Sequence, residues 1–320
     1  MMDFLDQSYV YGKSPLKQDS RGHSLRTYLF GGRISHSHSP TINSSLFKSA
    51  RASWTYDLYE TTNPQHFVNT LHQSDCIGAS ITMPNKVTFM PLLDDLTEEA
   101  RAIGAVNTVF IRLDSRGDRR YIGTNTDCVG IKETLLNNSH TVLDDARAQP
   151  ALVIGAGGAA RSAIYALWKW FKPSEIYIVN RLTSETIELI AGMLLSIPSI
   201  RLRHVESVEE AQRLKPPCVC VGTIPDDKPR GTGELLAWQI CETFLKKRGQ
   251  VKGVVLDMCY HPACTRLLKL AEMTGWRTMY GTEVLVRVAV AQQALWLEEE
   301  PKPDAVQKTL SSMQRVVSRL

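Results

Sequence analysis

The stretch VIGAGGAARSA, residues 153–163, decides the fold. It sets Gly155, Gly157 and Gly158 directly after an apolar run and directly before a helix-forming one. Gly155 permits a tight turn, and Gly157 lets the backbone approach a pyrophosphate. The helix start then offers free N–H groups and the positive end of its dipole to that anion. A glycine pattern alone is weak, because a ligand-free glycine turn looks the same. Here ALVIG (151–155) reads as a strand, GGAARSAIYALWKWF (157–171) as a helix and IYIVNR (176–181) as the next strand. That order is the context a dinucleotide-binding unit requires.

The end of the second strand bears on the cofactor. NAD sites usually carry an acidic residue there to accept from the ribose 2′-hydroxyl. This chain has Asn180-Arg181-Leu182-Thr183. An arginine with hydroxyl groups fits a 2′-phosphate, which leans towards NADP. Glu185 is close enough in sequence to serve a ribose, so NAD stays open.

Downstream, Ser184–Leu195, Leu235–Lys247 and Thr265–Thr274 read as helices, with CVCVGT (218–223) and GVVLDM (253–258) as strands. Strands spaced by helices and short loops give parallel βαβ units in an open, doubly wound sheet. Glu283–Glu299 reads as one long helix. Upstream, TYLFGG (27–32), TYDLYE (55–60), CIGASIT (76–82) and VNTVFIRL (106–113) read as strands, between helices at Ser39–Ala52, Pro64–Gln73 and Thr97–Ile103. RLDSRGDRR (112–120) reads as a hairpin turn into YIGTN, and the first 25 residues read as polar and are expected to be a loose arm. Both halves are α/β, with a boundary near Asp127–Leu136.

Bulk properties narrow the classes. At 320 residues, 43% hydrophobic and 22% charged, the chain has globular composition and room for one large or two medium domains. Its net charge of +4 is spread without a long basic run. Arg116–Arg120 and Lys246–Arg248 read as solvated loops, so no nucleic-acid partner is expected. No apolar run reaches the ~20 residues of a membrane span. The opening MMDFLDQSYVYGKSP lacks a basic segment followed by an apolar one, so no secretory signal is expected. Seven scattered cysteines, an odd number, argue against a disulfide framework. Cys218-Val-Cys220 has no second pair to complete a metal site. The expectation is a reduced, cytoplasmic protein without metal.

ASITMPNKV (79–87) places Thr82 and Lys86 around a proline turn, and GTNTDCVG (123–130) places Asp127 at a helix start. Singly, a lysine is usually solvated and such an aspartate usually caps a helix. Beside a dinucleotide unit they gain meaning. Oxidising a secondary alcohol with a nicotinamide moves a hydride from carbon and a proton from oxygen. A lysine held by an aspartate can take that proton and return it in reduction.

In their order, GGRISHSHSP (31–40), GASITMPNK (78–86), GAVNT (104–108), GTNTDCVG, GAGGAAR (155–161), NR (180–181), DMCYHP (257–262) and GTEVL (281–285) resemble the shikimate dehydrogenase family, including the quinate dehydrogenases. The resemblance runs from about Leu29 to Trp296. It implies an α/β substrate domain of residues 1–126 plus 286–320 and a Rossmann-type NAD(P)-binding domain of residues 127–285, with a cleft between them. It implies Lys86 and Asp127 as the catalytic pair, and Ser37 and Ser39 as a clamp for the substrate carboxylate. Thr82, Asn107, Asp127 and Tyr260 would complete the polyol pocket. Gly155, Ala156, Gly157, Gly158, Ala159, Asn180, Arg181, Thr223, Met258 and Gly281 would line the cofactor site. RISHSHSP (33–40) then needs no metal, since serines two apart can present their hydroxyls on one side.

Two positions depart from the family. Ser80 stands where asparagine is common, though some members have serine. Val288 stands where glutamine is usual, and valine cannot hydrogen-bond a ring hydroxyl; Gln292 lies one helical turn further on. The implied activity is NAD(P)-dependent oxidation of quinate or shikimate by a monomer or homodimer. A ligand sensor related to the quinate-pathway repressors, or a dehydrogenase for another cyclic hydroxy acid, are the alternatives.

Overall fold

The computed structural model describes residues 2–138, 147, 149–247 and 253–317. Arg248, the last residue of one basic run, lies outside them. The chain divides into two compact units, Met1–Thr126 with Leu285–Met313, and Asp127–Val284 with Gln314–Leu320.

The second unit holds a six-stranded, wholly parallel sheet of order β12-β11-β10-β7-β8-β9. Its strands are β7 (Ala151–Ile154), β8 (Ile176–Val179), β9 (Leu202–His204), β10 (Val219–Gly222), β11 (Val254–Asp257) and β12 (Arg277–Tyr280). The order reverses between β7 and β10, and in such sheets that is where a ligand crevice opens. Every residue of β7, β8, β10 and β11 is buried. Helices cover both faces of a parallel sheet, so these strands show apolar runs in place of alternation. Leu152, Tyr177, Phe244, Leu268 and Trp276 belong to one core cluster, with Tyr177 stacked on Phe244. β9 and β12 are absent from the sequence expectation. LRH and RTMY are short and half polar, and the backbone of a neighbouring strand recruits them at the sheet edges. The helix after the glycine turn is α-helical over Gly158–Ala166 and closes in a π turn at Leu167–Phe171.

The first unit holds a mixed sheet of order β2-β1-β3-β5-β6-β4. Its strands are β1 (Arg26–Gly31), β2 (Thr55–Glu60), β3 (Cys76–Ile81), β4 (Asp95–Leu96), β5 (Thr108–Leu113) and β6 (Arg119–Thr124). β1 pairs in parallel with β2 and β3, while β3, β5 and β6 are antiparallel. Asp114 closes the β5–β6 hairpin by accepting from the N–H groups of Arg116 and Asp118. One face packs Phe30, Phe67 and Phe89 in contact. The helix Gly281–Leu297 brings Trp296 onto the opposite face, where its indole N–H donates to the Val109 carbonyl at 2.9 Å.

The N-terminal arm is not loose. Met2–Ser8 is helical, Lys13 bridges Leu113, and the Ser20 carbonyl accepts from the Trp54 indole at 3.0 Å. The anchor is Arg112, 1% exposed. It pairs with Glu298 at 3.1 Å, donates to Ser8 Oγ and lies over the Tyr9 ring. Polar groups of the arm are therefore spent on partners from 34 to 104 positions away, which composition does not reveal.

Candidate active site

In the first unit, RISHSHSP becomes a loop leading into the helix Ser39–Ser49, with His38 at its N-cap. Glu60 Oε1 holds the loop by accepting from the N–H groups of Ile34 (2.7 Å) and Ser35 (3.0 Å). Ser37 N–H donates to Ile34, and Ser37 Oγ accepts from Ser39 N–H at 3.2 Å. Both serines thus sit at a helix N-terminus, where the dipole favours an anion.

Thr82, Lys86 and Asn107 gather at the same end of this sheet. Ile81 N–H donates to the Asn107 carbonyl, Thr82 N–H to Phe30, Val106 N–H to the Lys86 carbonyl, and Gly32 N–H to Met83. These bonds draw together the ends of β1 and β3, the one-turn helix Asn85–Thr88 and the loop that starts at Gly32. Buried Asn85 pins the turn, with its N–H on Thr82 and its side chain on Thr61.

Asn107 is oriented by a buried network. Its Oδ1 accepts from Thr126 N–H (2.7 Å), Thr108 Oγ1 (2.9 Å) and Thr126 Oγ1 (3.1 Å). Those donors settle which end of the amide is oxygen. Gln292 Nε2 donates to Thr108 Oγ1 at 2.9 Å. One donor of Gln292 is therefore engaged within the protein. Ser80 lies opposite Thr108 in the sheet register, and its buried hydroxyl has no hydrogen-bond partner among the described residues.

Asp127, buried, is the first residue of the helix Asp127–Asn138 and follows directly on Thr126. It opens the second unit. In that unit the cofactor candidates collect at the C-terminal ends of the strands. Gly155 has φ +118°, and a Cβ there would lie 2.5 Å from Thr223 Oγ1, so glycine is required. At Gly157 a Cβ would meet nothing within 4 Å, and the helix that starts there has no side-chain cap. Ala156, Gly158 and Ala159 complete the turn and first helical residues. Open space, uncapped N–H groups and a helix dipole fit a pyrophosphate. Thr223 Oγ1 donates to Ile154, Met258 N–H donates to Gly222, and Gly281 packs against the Met258 carbonyl, where a Cβ would stand at 2.5 Å. Tyr260, half-buried, follows β11 in the same loop as Met258.

Asn180 and Arg181 follow β8 and are both engaged. Asn180 Nδ2 donates to Glu185 Oε2 at 2.8 Å, and Arg181 Nη1 to Glu234 Oε1 at 2.9 Å. Asp257, at the end of β11, is pushed up to about 6 by burial, against the opposing bonds from Thr265 Oγ1 and Cys259 N–H. Glu60, Glu234, Thr108, Thr126 and Asp257 shape these sites but escaped sequence reasoning. Thr108, Thr126 and Asp257 fall within quoted motifs but carry no local sign of the bonds they make, while Glu60 and Glu234 stand outside every motif, Glu234 53 positions from its arginine. Among the described residues no cluster of histidine, cysteine and carboxylates is placed to hold a metal, and no helix is long and apolar enough to cross a membrane.

A parallel sheet that reverses order beside an uncapped glycine turn defines a dinucleotide-binding α/β protein; a separate α/β unit carries a lysine among hydroxyl and amide groups. Residues 29–109 match the shikimate dehydrogenase substrate binding domain. The chain is 34% identical over 308 residues to the quinate dehydrogenase of Emericella nidulans, covering 91% of this chain and 94% of that protein. It superposes with a TM-score of 0.70 and 25% identity on the Thermus thermophilus shikimate 5-dehydrogenase solved with NADP(H) and shikimate, over 90% of this chain and 99% of that one. The fold also matches that of the Corynebacterium glutamicum quinate dehydrogenase solved with NAD, at a TM-score of 0.74 and 23% identity over 90% of this chain and 99% of that one. The chain belongs to the shikimate dehydrogenase family, which includes the quinate dehydrogenases, and is a nicotinamide-dependent oxidoreductase.

Proposed function

We propose that this chain reversibly oxidises the secondary alcohol of quinate or shikimate to the 3-dehydro compound, with Lys86 as proton acceptor and donor, paired with Asp127. The observation that carries the reading is the gathering of Lys86, Thr82, Asn107 and the Ser37–Ser39 loop at one end of the first unit's sheet. The nicotinamide, when bound, takes or returns the hydride. Lys86 takes the hydroxyl proton as the carbonyl forms and gives it back in reduction. Asp127 supports the charge that Lys86 acquires. Ser37 and Ser39 hold the substrate carboxylate, helped by the helix N-terminus behind them. Asn107, Thr82 and Tyr260 meet the ring hydroxyls.

In this reading residues 1–126 with 286–320 bind substrate and residues 127–285 bind the dinucleotide, in a cytoplasmic monomer or homodimer. Gly155–Ala159 would hold the pyrophosphate, Thr223, Met258 and Gly281 the nicotinamide side, and Asn180 and Arg181 the adenosine ribose. The pairing of Arg181 favours NAD over the NADP that its presence in the sequence points to. Quinate is favoured by the 34% identity to a quinate dehydrogenase. Another cyclic hydroxy acid is the second reading, supported by Val288 and the unbonded Ser80 hydroxyl. Initial rates with quinate and shikimate, each with NAD and NADP, test the proposal. Cofactor reduction is expected with quinate and NAD; none in any of the four mixtures would refute it and favour a sensor or another substrate.

A further inference from the structure

We infer that Glu234 selects the dinucleotide, holding Arg181 so that the end of β8 accepts a free ribose 2′-hydroxyl and resists a 2′-phosphate. The inference rests on the nucleotide site proposed above. In an open parallel sheet the residues at the end of the second strand meet the adenosine ribose, and here they are Asn180 and Arg181.

Arg181 is the group that would bind a 2′-phosphate, yet its Nη1 is on Glu234 Oε1 at 2.9 Å. Glu234 is itself anchored. Its Oε2 accepts from the N–H groups of Arg230 (2.9 Å) and Gly231 (3.2 Å), closing the start of the helix Thr232–Lys246. Gly233 lies so close to the Arg181 carbonyl that no Cβ fits between them. The two backbone donors and Arg181 hold the Glu234 carboxyl down to about 2, so it stays ionised at working pH. A 2′-phosphate must then share the guanidinium with a fixed carboxylate, or draw Arg181 off it and leave the Glu234 charge facing the phosphate.

The other side of the strand end points the same way. Asn180 Nδ2 donates to Glu185 Oε2 at 2.8 Å, which draws a second carboxylate to this position. A ribose hydroxyl can donate to a carboxylate, whereas a phosphate dianion cannot. Glu185 beside Asn180 gives the strand end an acceptor for a ribose hydroxyl, and Glu234 sets a fixed negative charge beside Arg181, although both carboxylates come from helices and not from the strand itself.

The test is calorimetric titration of the full-length protein with NADH and with NADPH, without substrate. Wild type should bind NADH more tightly. Glu234→Gln keeps an oxygen for the Arg230 and Gly231 N–H groups and removes the charge. It should tighten NADPH on the order of tenfold and leave NADH within about twofold, because like-charge repulsion is what it relieves. A purely structural role would instead weaken both cofactors together and lower the melting temperature. Tighter NADPH than NADH binding by wild type overturns the inference even if the variant does not fold. An unchanged NADPH-to-NADH ratio in a folded variant overturns it while the nucleotide site stands. Failure of wild type to bind either dinucleotide overturns both.

Discussion

Thr108→Val tests whether the buried network sets the orientation of Asn107. Valine keeps the shape and deletes the hydroxyl. Thr108 is fully buried, and its Oγ1 meets Asn107 Oδ1 (2.9 Å), Thr126 Oγ1 (2.8 Å) and Gln292 Nε2 (2.9 Å). The variant takes this acceptor from Gln292 Nε2, on a side chain only 4% exposed, and removes one of three donors from Asn107. An orphaned buried donor costs ~1–3 kcal/mol and each net hydrogen bond ~0.5–1.5 kcal/mol, so a loss of ~2–4 kcal/mol is expected. At ~2–4 °C per kcal/mol for a unit of this size, the melting temperature should fall by ~5–15 °C. Function should suffer through binding. A less constrained Asn107 amide raises KM for the polyol several-fold and changes kcat less, because Thr108 does not touch the reacting oxygen. Urea unfolding with an unchanged m-value reads the first effect and steady-state kinetics the second. A loss below ~0.5 kcal/mol with unaltered KM, less than one ordinary hydrogen bond, would refute the network's role.

Lys86→Ala should lower kcat by ~10²–10⁴ with a much smaller change in dinucleotide affinity, as expected for loss of a general acid–base; near-normal turnover would remove Lys86 from the mechanism. Asp257 has a folded value of about 6, above the ~3.9 of an unfolded chain, so the native state binds the extra proton between those values. Stability from this group is therefore greatest below about pH 4 and falls by ~3 kcal/mol as pH rises through 6. Asp257→Asn should flatten that slope in urea titrations across pH 4–7, and an unchanged slope would count against the buried carboxyl as its source. Val288→Gln should lower KM for quinate or shikimate; a rise for both would mean that Val288 packs an apolar ligand face.

The dinucleotide unit was legible in the chain because its signal is local. Gly155 must adopt a positive φ, the strand before it must be apolar on both faces, and the helix after it must begin without a cap; these conditions fall within a dozen consecutive residues. The RISHSHSP loop was legible for the same reason, since Ser37 and Ser39 need only a helix start beside them. Other features depended on partners far along the chain. β9 and β12 have no pattern of their own and exist through the strands they pair with. The N-terminal arm is polar in composition yet anchored, because Arg112 reaches Ser8 on one side and Glu298 on the other. The sequence presents Arg181 at the end of the second strand but not Glu234, which the fold brings back from a later helix onto its guanidinium. A side chain's identity states what it can bond to. Which charge or hydroxyl stands beside it is set by chain segments that meet only once the sheet has formed, and at a site of this kind the neighbour decides the chemistry.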